Sequence, residues 1–525
     1  MFDGNRDNVA SDLISAVFLN GAGTLKKATF SNNVVVRCSD MGVKVDGAEG
    51  REVYDVLILN NRIERCRVGI GVGEYVYRCI VHGNIVANSE GTASMSACPG
   101  IDVESAFDCV VSNNIVYGSK NYDADHPLGH GIDIGPYSEK ITVIGNVVLE
   151  NEGIGIQVHA YDKYIQVVGN LVRDSGREGI KAMSDKTQIT GNYLINNPIS
   201  LYPASYCKIS NNYIIGGGIT LRYSGETYST NNEVSNNYIL SAPGTGIYLE
   251  ENCNKNVIKG NIIIDAAGPG IYLYEYAHYS QVVANIVKDC DGEGIIVRLS
   301  NYVLVADNYC EGNSGTGIDS ISAHYALVLN NYVIENGKYG IRVYNSDYGV
   351  YRNNFVKDNS QAEANTYYGF GITSNANYNL VELNRIENPA GTQNWGLRVA
   401  TSDCEGNRLI ENYVTGHGAT NIGDEGTNTI LKRNVGYATE KSGIATFSGD
   451  GSTTDLEIGA HGLVITDPSK IAVKITPASS DAIAASPCVG YVDPADNTKI
   501  RVKFSSAPAS GSENVKIVWY AEVIS

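Results

Sequence analysis

The sequence predicts an all-β protein: a right-handed parallel β-helix of about 16 to 17 coils followed by a small C-terminal β-sandwich. Three observations carry that prediction. An Asn preceded by Asn or Gly recurs before a short apolar run, as in "NNVVV", "GNIVA" and "GNYLI". A second marker of the form G-I-x-[IV] trails the Asn in most repeats, as in "GIDV", "GIQV" and "GIYL". Helical periodicity is absent, and Gly is frequent (57) while Pro is scarce (13), which makes the unit a coil of short strands.

The repeat Asn falls at 33, 61, 84, 114, 146, 170, 192, 212, 237, 261, 285, 308, 331, 354, 384, 412 and 434, mostly 20 to 25 residues apart. A unit of that length buries its apolar face only by stacking on its neighbours. The recurrent Asn suits a tight bend in the left-handed conformation, with amides that hydrogen-bond from coil to coil. In G-I-x-[IV]-x the two apolar residues point into the core and the two x residues point outward, forming two columns on one sheet face. The first column reads Lys44, Gly71, Asp102, Asp133, Gln157, Lys181, Ser200, Thr220, Tyr248, Tyr272, Ile296, Asp319, Arg342, Thr373 and Arg398. The second contains Asp46, Glu104, His159, Met183, Tyr202, Arg222, Glu250, Tyr274, Arg298, Tyr344 and Asn375. Two enlarged coils, "NSEGTASMSACPG" and "GSKNYDADHPLGHG", adjoin the acidic end of these columns and are expected to wall a cleft. The repeat region is taken as residues 1–438. The remainder, 439–525, reads as alternating strands joined by Pro/Gly/Ser turns, a sandwich of about 80 residues.

Bulk composition narrows the partners. The formal charge of −18 argues against nucleic acid, because no basic stripe offsets phosphate repulsion. No apolar run approaches the roughly 20 residues that cross a bilayer. The 35 Tyr against 8 Phe point to amphipathic rings with a wet edge, as on a sugar-binding face. The eleven Cys include several spaced five residues from a repeat Asn (Cys79, Cys109, Cys207, Cys38, Cys66, Cys290), a periodicity of buried thiols rather than of a disulfide framework.

The repeats resemble the pectin-lyase-like β-helix superfamily, over about residues 1 to 440. "FDGNRDN" (Phe2 to Asn8) resembles the start of the central coils in bacterial alginate C5-epimerases and related polysaccharide-modifying β-helices. The resemblance implies an N-terminal capping region that is missing here, and a place outside the cell or on a virion or cell surface. Where the epimerases carry an Asp-Pro-His-Glu tetrad, this chain reads "KVDG" (Lys44 to Gly47). "GHGIDIG", with His130 beside Asp133, resembles the Gly-His-Gly strand of polygalacturonases, without their upstream paired-Asp motifs.

Two chemistries fit the outward columns. Elimination from, or C5 epimerisation of, a uronate-containing polysaccharide needs a cation to neutralise the carboxylate and a base and acid at C5. His159, Lys181, Tyr202 and Arg222 contain those types on consecutive coils, and this reading leads. Glycoside hydrolysis by two carboxyl groups, Asp102 and Asp133, is the alternative. The same two residues with Glu104 are candidate Ca²⁺ ligands, and no cofactor is otherwise required. Tyr248, Glu250, Tyr272, Tyr274 and Arg298 extend the track as substrate-binding candidates, with Arg342 and Arg398 beyond. A third reading is a non-catalytic glycan-binding or fibre protein, a homo-oligomer and a trimer if fibre-like.

Overall fold

The computed structural model describes residues 2–3, 17–20, 24–90, 98–120, 129–225, 227–417, 421–465 and 467–524. Most of "FDGNRDN" and the centres of both enlarged coils, 91–97 and 121–128, lie outside the described residues, and so does the expected cleft wall. The chain divides into two compact units, Met1–Leu327 and Val328–Ser525.

In the first unit each coil is three short strands. The coil that starts at Asn146 has Val147–Leu149, Ile156–Val158 and Gln166–Val168. Each pairs in parallel, without slippage, with its counterpart one coil on: Val147 with Leu171, Ile156 with Ile180, Gln166 with Gln188. Three parallel sheets result, here termed the asparagine sheet, the G-I-x-[IV] sheet and the third sheet. The inward residues of this coil, Val148, Ile156, Val158 and Val167, are fully buried. Strands of three residues bury too little alone, so the apolar column running through successive coils is what stabilises them.

The repeat Asn is the pin of each coil. Asn192 donates both its backbone N–H and its side-chain amide to Asn212 Oδ1 at 2.9 Å, and its second amide hydrogen reaches the Val167 carbonyl at 2.9 Å. The same exchange links Asn61, Asn84, Asn114, Asn146 and Asn170. The left-handed bend lies one residue earlier than expected, at Asn60 (φ 54°), Gly83 (67°), Asn113 (53°), Gly145 (66°) and Asn211 (57°). The Asn-Asn and Gly-Asn pairs therefore divide two tasks. The first residue turns the chain, where Gly and Asn are least strained, and the second satisfies the buried polar groups the turn exposes.

The tyrosines are not gathered on one face. Tyr193, Tyr213 and Tyr238 stack on the asparagine sheet at 5.1 and 4.8 Å between ring centres. Tyr279, Tyr302 and Tyr325 stack at a corner at 5.1 and 4.8 Å. Much of the excess is coil-to-coil stacking of in-register rings. All eleven cysteines are free thiols, ten of them buried, as their periodic placement predicted.

The second unit also contains three-strand coils, with Ile341 opposite Phe370, Val350 opposite Leu380 and Tyr332 opposite Phe355. One register expectation fails here. Arg342 pairs with Gly371, and Thr373 pairs with Tyr344, so Thr373 belongs to the second column rather than the first. The strand "YGFGIT" holds two candidate Gly-apolar starts; Phe370 and Ile372 are the buried pair, because Phe370 fills the Ile position of the repeat. The last parallel strand among the described residues is Ile430–Lys432, followed by a single parallel bridge from Val435 to Tyr413. From Glu440–Gly449 onward the strands form two three-stranded antiparallel sheets. The first joins Glu440–Gly449, Gly511–Val523 and Ile471–Pro477; the second joins Asp455–Ala460, Lys499–Phe504 and Cys488–Val492. Trp519, Ile500 and Leu463 build one apolar cluster of this module, and Phe504, Val515 and Ile517 a second. The last parallel strand ends at Lys432 and the first antiparallel one begins at Glu440. Among the described residues no helix is long and apolar enough to cross a membrane.

Candidate functional site

The G-I-x-[IV] sheet of the first unit sets its first outward column in unbroken register: Asp102, Asp133, Gln157, Lys181, Ser200, Thr220, Tyr248 and Tyr272 are successive Cα partners. The second column follows two residues on, tied to the preceding coil by backbone hydrogen bonds from His159 to Ile134, Tyr202 to Ala182, Arg222 to Leu201 and Tyr274 to Leu249. Outward direction does not mean exposure. Asp133, Gln157 and Ser200 are buried, because with coils only about 4.8 Å apart a long side chain shields its shorter neighbours.

At the acidic end Asp102 and Asp133 stand in register on adjacent coils. Burial, followed by repulsion from Asp133 and Glu104, pushes the Asp102 carboxyl up to about 8, against smaller opposing pulls from Arg67 and His159. Asp102 thus holds its proton at neutral pH. Asp133 Oδ1 lies 3.0 Å from His159 Nε2 on the next coil, an ionic contact off the axis of a hydrogen bond that leaves this buried oxygen without an aligned donor. The Gln157 amide closes on the same imidazole nitrogen. Burial pulls the His159 pKa down, but the Asp133 contact and the Asp133 and Asp102 charges outweigh it, and the net shift is upward.

The other expected residues divide. His130 is turned into the coil wall, 2 % exposed, where its Nδ1 accepts the Ile154 N–H at 2.9 Å; burial lowers its pKa and fixes it as a neutral packing residue. It is near Asp133 in sequence but is occupied by the backbone. Lys181 lays its ammonium over the Tyr202 ring, 4.9 Å from the centre. Arg222 faces Glu250 at 3.7 Å. Tyr248, Tyr272 and Tyr274 form one aromatic group, with centres 5.5, 6.2 and 5.6 Å apart, and Arg298 lies over Tyr274 at 5.4 Å while reaching the Tyr272 hydroxyl at 3.5 Å. Burial raises the Tyr248 hydroxyl to about 12, so it is a proton donor and not a base at neutral pH. Within the second unit, Arg342 packs on Tyr339 and Tyr344, and Arg398 packs on Tyr368 and Trp395.

The Ca²⁺ expectation is not supported. Among the described residues no three His, Cys, Asp or Glu side chains converge as cation ligands, and Glu104 is exposed while Asp133 is buried. One acid was missed. Asp162 is 3 % exposed; its Oδ1 accepts the Ser138 N–H at 2.9 Å, and its Oδ2 has no partner. Burial raises this carboxyl to about 8, with a contribution from Asp133. On the two preceding coils Ser138 and Ala106 hold the same position, Ser138 capping the Ala106 N–H. An Asp within a column of small residues was the available signal.

A family model described as a right handed beta helix region matches residues 130–287 and 229–386. The chain belongs to the right-handed parallel β-helix superfamily. A second model, described as periplasmic copper-binding protein (NosD), matches residues 4–205. Similar solved structures include the mannuronan C-5 epimerase AlgE4 A-module of Azotobacter vinelandii (15 % identity, TM-score 0.36, 55 % of this chain and 88 % of that one). Another is a mutant tailspike protein of the E. coli bacteriophage HK620 in complex with a hexasaccharide (12 %, 0.42, 95 % and 86 %). A third is the Dettilon tailspike protein (11 %, 0.33, 90 % and 88 %). No curated protein matches this β-helix in sequence.

Proposed function

We propose that this β-helix is an extracellular polysaccharide-cleaving enzyme that hydrolyses a glycosidic bond with Asp102 as general acid and Asp133 as its carboxylate partner. The in-register pair, one carboxyl holding its proton to about 8 and the other held against an imidazole, carries this reading. It is the division of labour that two-carboxyl hydrolysis requires. Asp102 would protonate the leaving glycosidic oxygen. Asp133, in ionic contact with His159, would attack the anomeric carbon or activate water. In-register residues stand about 4.8 Å apart at the backbone, nearer the roughly 5–5.5 Å of retaining enzymes than the wider spacing of inverting ones. The aromatic group Tyr248, Tyr272 and Tyr274 with Arg298 lies along the same open face, where an extended sugar polymer would find ring faces and a cation.

Elimination at a uronate remains the second reading. It is supported by Lys181 over the Tyr202 ring on adjacent coils, where the ammonium would neutralise the uronate carboxylate and the tyrosine would carry the C5 proton. The test is a panel of neutral and uronate polysaccharides assayed for reducing ends and ultraviolet absorbance together. Hydrolysis gives new ends without absorbance, and Asp102→Asn should lower it by about 100-fold or more. Absorbance rising with the ends, abolished by Lys181→Ala and kept in Asp102→Asn, would replace hydrolysis by elimination.

A further inference from the structure

The outer face of the asparagine sheet is unlike the other two. On three successive coils it presents Tyr193 with Ile195, Tyr213 with Ile215 and Tyr238 with Leu240, all in register. These side chains face outward from a buried middle residue, and Tyr193 and Tyr213 keep 40 % and 37 % of their surface exposed. The column bearing the three tyrosines runs uncharged from residue 85 to residue 309, ten coils. β-Propensity alone does not explain it. Over the same stretch the third sheet carries Gln166, Gln188, Lys208 and Glu233 outward, in register. In the second outward column the charges are Arg173, between Leu149 and Ile195, and Lys288 and Glu311 at the far end, and they are paired, Arg173 with Glu150 and Lys288 with Glu311. An apolar centre with a polar rim is the anatomy of a protein interface.

We propose that this stripe docks a second copy of the same chain, the two β-helices lying side by side. Two features select that partner. The stripe is straight, with one step of about 4.8 Å per coil, and a second copy matches that repeat step for step. The chain also carries a net charge of −18, so identical copies repel over most of their surface and meet without that penalty where charge is absent. Nine steps of about 4.8 Å and two columns about 12 Å wide give roughly 500 Å² per copy, before the flanking corners are counted. That is more than half of the roughly 800 Å² per partner of a standard interface.

Sedimentation velocity on the full chain over a concentration series tests the proposal without any substrate. The wild type should sediment as an oligomer. Ile215→Glu and Ile215→Lys should each weaken association by about tenfold or more, because each buries an unpaired charge at the contact. An equimolar mixture of the two variants should associate again, an outcome that misfolding cannot produce. A wild-type monomer at all concentrations would overturn the proposal. So would variants that associate as the wild type does, or a mixture that stays dissociated. If the monomeric wild type instead floats with phosphatidylcholine vesicles and Ile215→Glu does not, the stripe is a lipid-facing surface and the second copy is wrong.

Discussion

Asp133 and His159 are 26 residues apart in sequence and one coil apart in space, with Oδ1 and Nε2 at 3.0 Å. The contact is made by the register alone: Asp133 pairs with Gln157, and the residue two positions on projects from the same face. Burial by itself pulls His159 down, and the neighbouring carboxyls reverse that. In Asp133→Asn only the weaker Asp102 influence would remain against burial. We therefore expect the His159 pKa, followed by imidazole chemical shifts across a pH series, to lie above 6.5 in the wild type and to fall in Asp133→Asn. A variant whose His159 titrates as the wild type does would show that the contact is not made in solution.

Burial raises the Asp102 and Asp162 carboxyls to about 8 from the ordinary 3.8. For a raised acid the folded state binds the proton more tightly than the unfolded state. The stabilisation is complete below about pH 4 and is lost as pH rises through about 8. The wild type should therefore lose stability between pH 5 and pH 9 through these groups. Asp102→Asn and Asp162→Ser should flatten that slope, each gaining about 2 kcal/mol over the wild type at pH 9 and little at pH 5. Asp162→Ser is the gentler change, since Ser138 caps the equivalent position one coil earlier. Thermal melts across pH measure both. A slope unchanged in either variant would mean that the carboxyl is solvated and ordinary.

The β-helix was legible because its signals repeat. One Asn-apolar motif is weak, but seventeen at near-constant spacing specify coils, and G-I-x-[IV] assigned the outward columns correctly from Asp102 through Tyr272. Legibility failed where a local string allows two readings, as in "YGFGIT", where the buried Phe370 stands in for Ile. It failed again for His130, because sequence proximity to Asp133 does not reveal that its Nδ1 is taken by the Ile154 N–H. Tyr was read as a sign of ligand, whereas Tyr193, Tyr213 and Tyr238 are equally served by stacking on one another. Asp162 went unread because the column it breaks, after Ala106 and Ser138, becomes visible only once coils are aligned at their corners as well as on their strands.

Thiol chemistry offers a direct check on the coil interior. Ten cysteines are buried and Cys488, in the C-terminal antiparallel module, is partly exposed. Burial raises the Cys79 thiol well above its ordinary value and the Cys109 thiol to about 11, which removes their reactive thiolate at neutral pH. An aromatic disulfide reagent should label one thiol rapidly in the native protein and the other ten only after denaturation. Rapid labelling of several thiols would mean that the coils open far more readily than their packing implies.

The turn residue and the pin residue of each coil should respond oppositely to substitution, although they are adjacent. Asn211 sits at φ 57° and turns the chain, whereas Asn212 accepts the Asn192 N–H and amide and donates to the Ile189 carbonyl and Asn237 Oδ1. Asn211→Gly should be nearly neutral, because Gly adopts that conformation freely, while Asn211→Val should cost about 1–2 kcal/mol. Asn212→Ala should cost about 3 kcal/mol or more, since it orphans two buried donors on Asn192 and one carbonyl with no water to replace them. Asn212→Asp isolates the geometry from the hydrogen bonds. It keeps the acceptor for Asn192 but loses the amide donors and buries a charge, so its loss should approach that of Asn212→Ala. Urea denaturation midpoints rank the four variants. A ranking in which Asn211→Val is worse than Asn212→Ala would mean that backbone strain at the turn, and not the amide ladder, is what holds one coil to the next.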